Sequence, residues 1–107
     1  MIKVIYYRQY NRLTIEGHAN SGDPGHDLVC AGCSVLAYTL AANVGNMEAN
    51  GLIRNPIVRL DPGSAEICCE PNRRVGAMVS RIFEAVCVGF EMLDHDYHQY
   101  ISYEIHG

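Results

Sequence analysis

Residues 28–47 form a run of twenty without one Asp, Glu, Lys or Arg, and no other feature of the chain restricts its fold so strongly. Twenty uncharged residues reach the length that crosses a bilayer. The run nevertheless contains Ser34, Thr39, Asn43 and Asn46 together with Gly32 and Gly45, and no flanking Lys or Arg marks a cytoplasmic side. The expectation is a buried core helix and no membrane span. Asp27 is a suitable N-cap, and Gly45 with Asn46 supplies an end, which places the helix between them.

The segments around it alternate between strand and turn signals. Residues 2–7 and 12–17 are rich in Ile, Val, Tyr and Thr and read as a hairpin. Residues 20–26, Asn-Ser-Gly-Asp-Pro-Gly-His, hold turn formers and little to bury, so a mobile loop is expected there. Asp61-Pro62-Gly63-Ser64 joins a second hairpin, 56–61 with 64–70. From Asn72 the apolar positions Val75, Met78, Val79, Ile82, Phe83, Val86, Phe90 and Leu93 step by three and four, the clearest helical period in the chain. Residues 97–106 alternate as a half-buried strand. The order ββαββαβ predicts an α+β fold: a mixed or antiparallel sheet carrying two helices.

A chain of 107 residues with no linker or internal repeat is one domain, 1–107. Its apolar share of 49% against 19% charged excludes disorder. The net charge is −4, and no basic cluster exceeds Arg73-Arg74, so direct nucleic-acid binding is not expected. Met1 leads straight into the first strand with no signal peptide, which makes the cytoplasm the expected compartment and reduced thiols the rule. The five cysteines are then candidates for chemistry, metal binding or packing.

Chemistry concentrates between Gly17 and Ser34. The stretch places a His at a strand end and a Cys at a helix start, with a flexible Gly-rich loop between them. A cysteine nucleophile acts as the thiolate, and a helix N-terminus favours it through its dipole and free N–H groups. With Asp27 as cap, Cys30 falls in the first turn. The dipole contributes about 0.3–1 kcal/mol, less than one pKa unit, so a neighbouring imidazole is required. His18 is the natural supplier, because the loop can fold its strand end back onto the helix, and His26 is the competitor. Backbone N–H groups around Ala31 are candidates for an oxyanion hole. The bland alternative makes His18 a strand terminator and Cys30 a small core residue.

Cys30-Ala31-Gly32-Cys33 also has the spacing of a dithiol motif, or of half a zinc site completed by Cys68 or Cys69 with His18 or His26. Adjacent cysteines on a strand point to opposite faces, which weighs against zinc, and the long preceding loop weighs against a thioredoxin-like site. No metal and no cofactor is expected. Ser34, one turn beyond Cys30, shares its helix face and either serves the site or bonds its own backbone. Cys87 belongs to the apolar stripe of the second helix, and His95, His98 and His106 follow no ligand pattern. A peptide-binding or thiol/zinc-binding domain without protease activity is the alternative to an enzyme.

Gly17-His18-Ala19, then Gly25-His26-Asp27-Leu28-Val29-Cys30-Ala31-Gly32, then Ser34, resembles the ribosomal-processing cysteine protease family Prp. The overall length and element order look like that family as well. The resemblance implies a bacterial cytoplasmic homodimer that removes the N-terminal extension of ribosomal protein twenty-seven of the large subunit during ribosome maturation. It implies Cys30 as nucleophile and His18 as general base, with Asp27 and Ser34 in supporting positions and Gly17 and Ala31 within the motif. It makes Ala19, Asn20, Ser21, Gly22, Asp23, Pro24, Gly25 and His26 a mobile loop over the substrate. Cys33 departs from the family, where a small apolar residue is usual, and opens the chance of a disulfide with Cys30.

Overall fold

A computed structural model describes residues 1–18 and 24–107. Strand β1 (Ile2–Tyr7) turns through a single 3-10 turn, Arg8–Tyr10, into β2 (Arg12–Glu16). Helix α1 (Pro24–Ala49) follows, then the hairpin of β3 (Ile53–Asp61) and β4 (Ser64–Pro71), helix α2 (Gly76–Tyr97) and β5 (Ile101–His106). The five strands form one sheet in the order β3-β4-β2-β1-β5. Every pairing is antiparallel except β1 with β5, so the sheet is mixed and the α+β expectation with two helices holds.

Alternation places Ile2, Val4 and Tyr6 of β1, Leu13 of β2, and Ala65, Ile67 and Cys69 of β4 on the buried face. Against it lie Val79, Phe83, Val86, Cys87 and Phe90 of α2 and Val29, Cys33, Ala37, Leu40, Val44 and Met47 of α1. Both sets step by roughly one helical turn, which aligns them as stripes. Glycines set the contact between the helices. A Cβ at Gly89 would run into Leu36, and one at Gly32 would come within 3.2 Å of Leu93.

Several boundaries differ from those expected, among them the start of β3 at Ile53 instead of residue 56 and of α2 at Gly76 instead of Asn72. Helix α1 begins at Pro24, not after Asp27, so residues 24–26 are helical and not loop. Proline, with no N–H to leave unsatisfied, suits a first helical position. The same helix runs through Gly45 and Asn46 and stops at Asn50-Gly51 instead. There Gly51, at φ +71, donates its N–H to the Glu48 carbonyl (3.0 Å), and Leu52 donates to Met47 (2.9 Å), the paired bonds of a Schellman ending. Finally α2 extends to Tyr97, which shortens the last strand to Ile101–His106.

Helix α1 is also not buried all round. By length and composition Gly25–Ala49 could cross a membrane, yet in this fold its inner stripe packs on the sheet and on α2. Its outer face leaves Leu28, Val35 and Tyr38 exposed, next to Val88 and Met92 of α2.

Candidate active site

Strand β2 ends in Gly17-His18, and backbone contacts far apart in sequence fix that end. Gly17 donates its N–H to the carbonyl of Gly63 at 2.9 Å, tying β2 to the β3–β4 turn. The N-terminal ammonium of Met1 donates to the His18 carbonyl at 2.9 Å. Gly17 holds φ +104 with its α-carbon against the Met1 carbonyl oxygen, a place that admits no Cβ. The His18 imidazole then lies directly over Gly63, where a Cβ would displace its Nε2 and Cε1. Among the described residues the His18 ring makes no hydrogen bond.

The turn beneath His18 is braced by polar contacts. Arg59 donates through Nη1 to the Ser64 hydroxyl at 2.8 Å and pairs with Asp61 at 3.2 Å, while Ser64 donates onward to Glu16 at 2.9 Å. This sheet-side wall faces the first turns of α1 across a groove of about 290 Å³. His18, Cys30 and Ser34 line the groove together with Asp61 and Gly63, above a floor that includes Ile2, Ile15 and Ala37. The strand order β4-β2-β1, with the helices on one face, is what brings His18 and Cys30 into one cavity.

On the helix wall Cys30 is the seventh residue of α1, not the third. A dipole effect that fades within the first turn therefore gives its thiol little help, and the need for an imidazole is greater than expected. The imidazole in contact is His26, one turn earlier on the same face: its Nε2 lies 3.6 Å from Cys30 Sγ. The other ring nitrogen of His26 faces the Asp27 carboxylate at 3.2 Å. Asp27 is thus not the N-cap; it is an exposed carboxylate, 81% accessible, paired with its neighbour's ring. Ala31, the eighth residue, has its N–H inside the helical ladder, so the free amides at this end include those of Gly25 and His26.

Ser34 lies exposed in the groove and bonds nothing among the described residues. Cys33 points the other way, into the core, where burial pushes its thiol up to about 12. Cys30 and Cys33 are both free. Cys68 and Cys69 lie on opposite faces of β4, Cys69 in the core with its thiol raised to about 11 by burial. Among the described residues no group of three His, Cys, Asp or Glu side chains could hold a metal ion. Residues 19–23 of the expected loop lie outside the described residues. The β3–β4 turn was legible as a turn but not as a wall of the site, because only the pairing of β4 with β2 carries it there.

Comparison with known proteins gives the family and the fold. The family model for cysteine protease Prp matches residues 1–102. Among solved structures, the ribosomal processing protease Prp of S. aureus with a covalently linked product peptide superposes with a TM-score of 0.73 at 22% identity, covering 98% of this chain and 99% of that one. The protein SMU.848 of Streptococcus mutans gives 0.68 at 23% identity, covering 98% and 91%. The S. aureus protease with a substrate peptide gives 0.68 at 19% identity, covering 97% and 96%. No curated protein matches the chain in sequence.

Proposed function

We infer the reaction from one premise: this chain belongs to the cysteine protease Prp family, whose model spans residues 1–102, and it is a cysteine protease. Cys30 is the nucleophile in our reading. Its thiolate attacks the scissile carbonyl, and His18, as imidazolium, protonates the leaving amine. The observation that carries this is the shared groove: Cys30 on its helix wall, His18 on its sheet wall, and an open space between them that admits an extended peptide. Ser34 supplies a free hydroxyl to the same space, and the exposed amides at the start of α1 are the donors available to an oxyanion.

The substrate we propose is the N-terminal extension of ribosomal protein twenty-seven of the large subunit, cut during ribosome maturation in the bacterial cytoplasm. The S. aureus relative, a ribosomal processing protease, is solved with a substrate peptide, which supports a peptide in this groove. An acidic chain of net charge −4 also suits a basic ribosomal partner. The active form we propose is a homodimer of this single domain. The uncharged outer face of α1, with Leu28 and Val35 exposed beside Val88 and Met92 of α2, is the surface that supports it.

The test is cleavage, under reducing conditions, of a peptide spanning the extended terminus, with Cys30→Ala alongside. Wild type cuts and the variant, equally folded, does not. Cleavage by Cys30→Ala removes Cys30 from the reaction, and an uncut peptide removes this substrate.

A further inference from the structure

The geometry points to a second imidazole in the reaction: His26, oriented by Asp27, takes the Cys30 proton and stays paired with the thiolate, leaving His18 to serve the substrate. This rests on the reading of Cys30 as nucleophile. The titratable groups around Cys30 are His26 one turn earlier, backed by Asp27, then His18 at the end of β2, Asp61 in the β3–β4 turn and Tyr38 of α1, which share its groove, and the Cys33 thiol, which is turned into the core. Of these only His26 is in hydrogen-bonding contact with Sγ, at 3.6 Å. Its position is not left to chance. The four-residue spacing stacks the two side chains on one helix face, the His26 side chain is only 19% exposed, and the Asp27 carboxylate at 3.2 Å holds Nδ1–H so that Nε2 faces the sulfur. His18 lacks every one of these supports: its ring stacks over Gly63 and bonds nothing among the described residues.

Two imidazoles divide the proton traffic cleanly. The Sγ–H proton passes to His26 Nε2, giving a thiolate–imidazolium pair. The thiolate attacks, a C–S bond forms, and as the C–N bond breaks the leaving nitrogen takes a proton from protonated His18. Water then attacks the thioester carbonyl and gives one proton to the now neutral His18. The C–S bond breaks, and the thiolate returns to the His26 imidazolium. His18 cycles once per turnover, and His26 remains charged throughout.

Iodoacetamide reads the first half alone, because alkylation needs a thiolate and no leaving-group acid. The rate is measured at Cys30 by mass spectrometry at pH 6.5 and pH 9.5, beside kcat/KM for peptide cleavage. His26→Ala and His26→Gln slow Cys30 alkylation at least tenfold at pH 6.5 and approach wild type at pH 9.5, where solvent base suffices; that recovery shows the variants to be folded. His18→Ala alkylates within about twofold of wild type at both pH values while its cleavage falls 100-fold or more, the range of a lost general acid. Asp27→Asn slows alkylation only a few-fold, because its carboxylate is in water. Wild-type alkylation by His26→Ala at pH 6.5 overturns the proposal, and so does suppression of alkylation by His18→Ala alone. Failure of the underlying reading has a different signature, cleavage by Cys30→Ala.

Discussion

The two walls of the groove carry equally important residues but are built by opposite means. On the helix wall Cys30 and Ser34 line the groove four residues apart, with His26 touching Cys30 from one turn earlier, so a single regular helix aligns all three and each is close to the next in sequence. On the sheet wall His18 is placed by residues distant in the chain: Met1 at one side, Gly63 beneath, and the Arg59–Ser64–Glu16 contacts behind. A local wall tolerates change in its surroundings, because its own hydrogen-bond ladder sets the geometry. A wall assembled from non-local contacts fails when any one of them is lost.

The largest effect is therefore expected at Gly17. An alanine there faces both φ +104 and the Met1 carbonyl oxygen, with no flexible side chain to yield. Positive φ costs roughly 1–2 kcal/mol for a residue with a Cβ, and forcing atoms into filled space adds about 1–3. Gly17→Ala should thus lose on the order of 2–5 kcal/mol, a fall of roughly 10–30 °C in Tm for a domain of this size. Cleavage falls with it. A Tm within 3 °C of wild type would show that the strand end is not clamped in this way.

Gly63→Ala separates placement from stability. Its new methyl group also sits at positive φ, but what it meets is the exposed His18 ring, which can swing away. The expected stability loss is only about 1–2 kcal/mol. The expected loss in kcat/KM is at least tenfold, since the His18 nitrogen leaves its place over the groove. Alkylation of Cys30, on the other wall, should not change. If activity and alkylation fall together, the two walls are not independent.

This contrast also explains what could be read in the sequence. Cys30 and Ser34 are legible as a pair because helical spacing is a local code, whereas His26 reads as loop; the period of α2 correctly buries Val79, Phe83, Val86 and Phe90 but also includes Met78, which the fold leaves exposed. The elements and their order follow from the same local signals. The contacts of His18 do not, because they depend on β4 lying beside β2 and on the mixed strand order, which no short window encodes. Boundaries were misplaced where one residue type serves two roles. Pro24 reads as a loop former but also begins helices, and Asp27 reads as a cap but here faces a histidine. Tyr97 fits a strand's alternation and also the last turn of α2.

Cys30 and Cys33 sharpen the comparison within one wall. Cys30 opens to the groove, while desolvation in the core raises Cys33 to about 12 and, on the sheet side of that core, Cys69 to about 11. A group whose folded pKa lies above its unfolded value of about 9 contributes stability that is complete below pH 9 and lost as pH rises toward the folded value. Melting should therefore be nearly flat between pH 7 and 8.5 and weaken by pH 10, by on the order of 1 kcal/mol per buried thiol. Cys33→Ala should flatten part of that slope and leave cleavage nearly unchanged. A slope identical to wild type would place the sensitivity elsewhere.

The smallest effect tests whether the helix wall really is held by its own backbone. Gly45 stands inside α1, six residues before Gly51, with nothing within 4 Å of where its Cβ would be. Its open surroundings contrast with Gly32 and Gly89, whose missing side chains let α1 and α2 touch. Helical glycine is about 1 kcal/mol less favourable than alanine, from backbone entropy alone. Gly45→Ala should raise Tm by a few degrees and leave kcat/KM and Cys30 alkylation at wild-type values. A destabilised Gly45→Ala would mean that another surface packs on this stretch of α1. Its loss would then depend on protein concentration, which separates a second copy of the chain from strain within one.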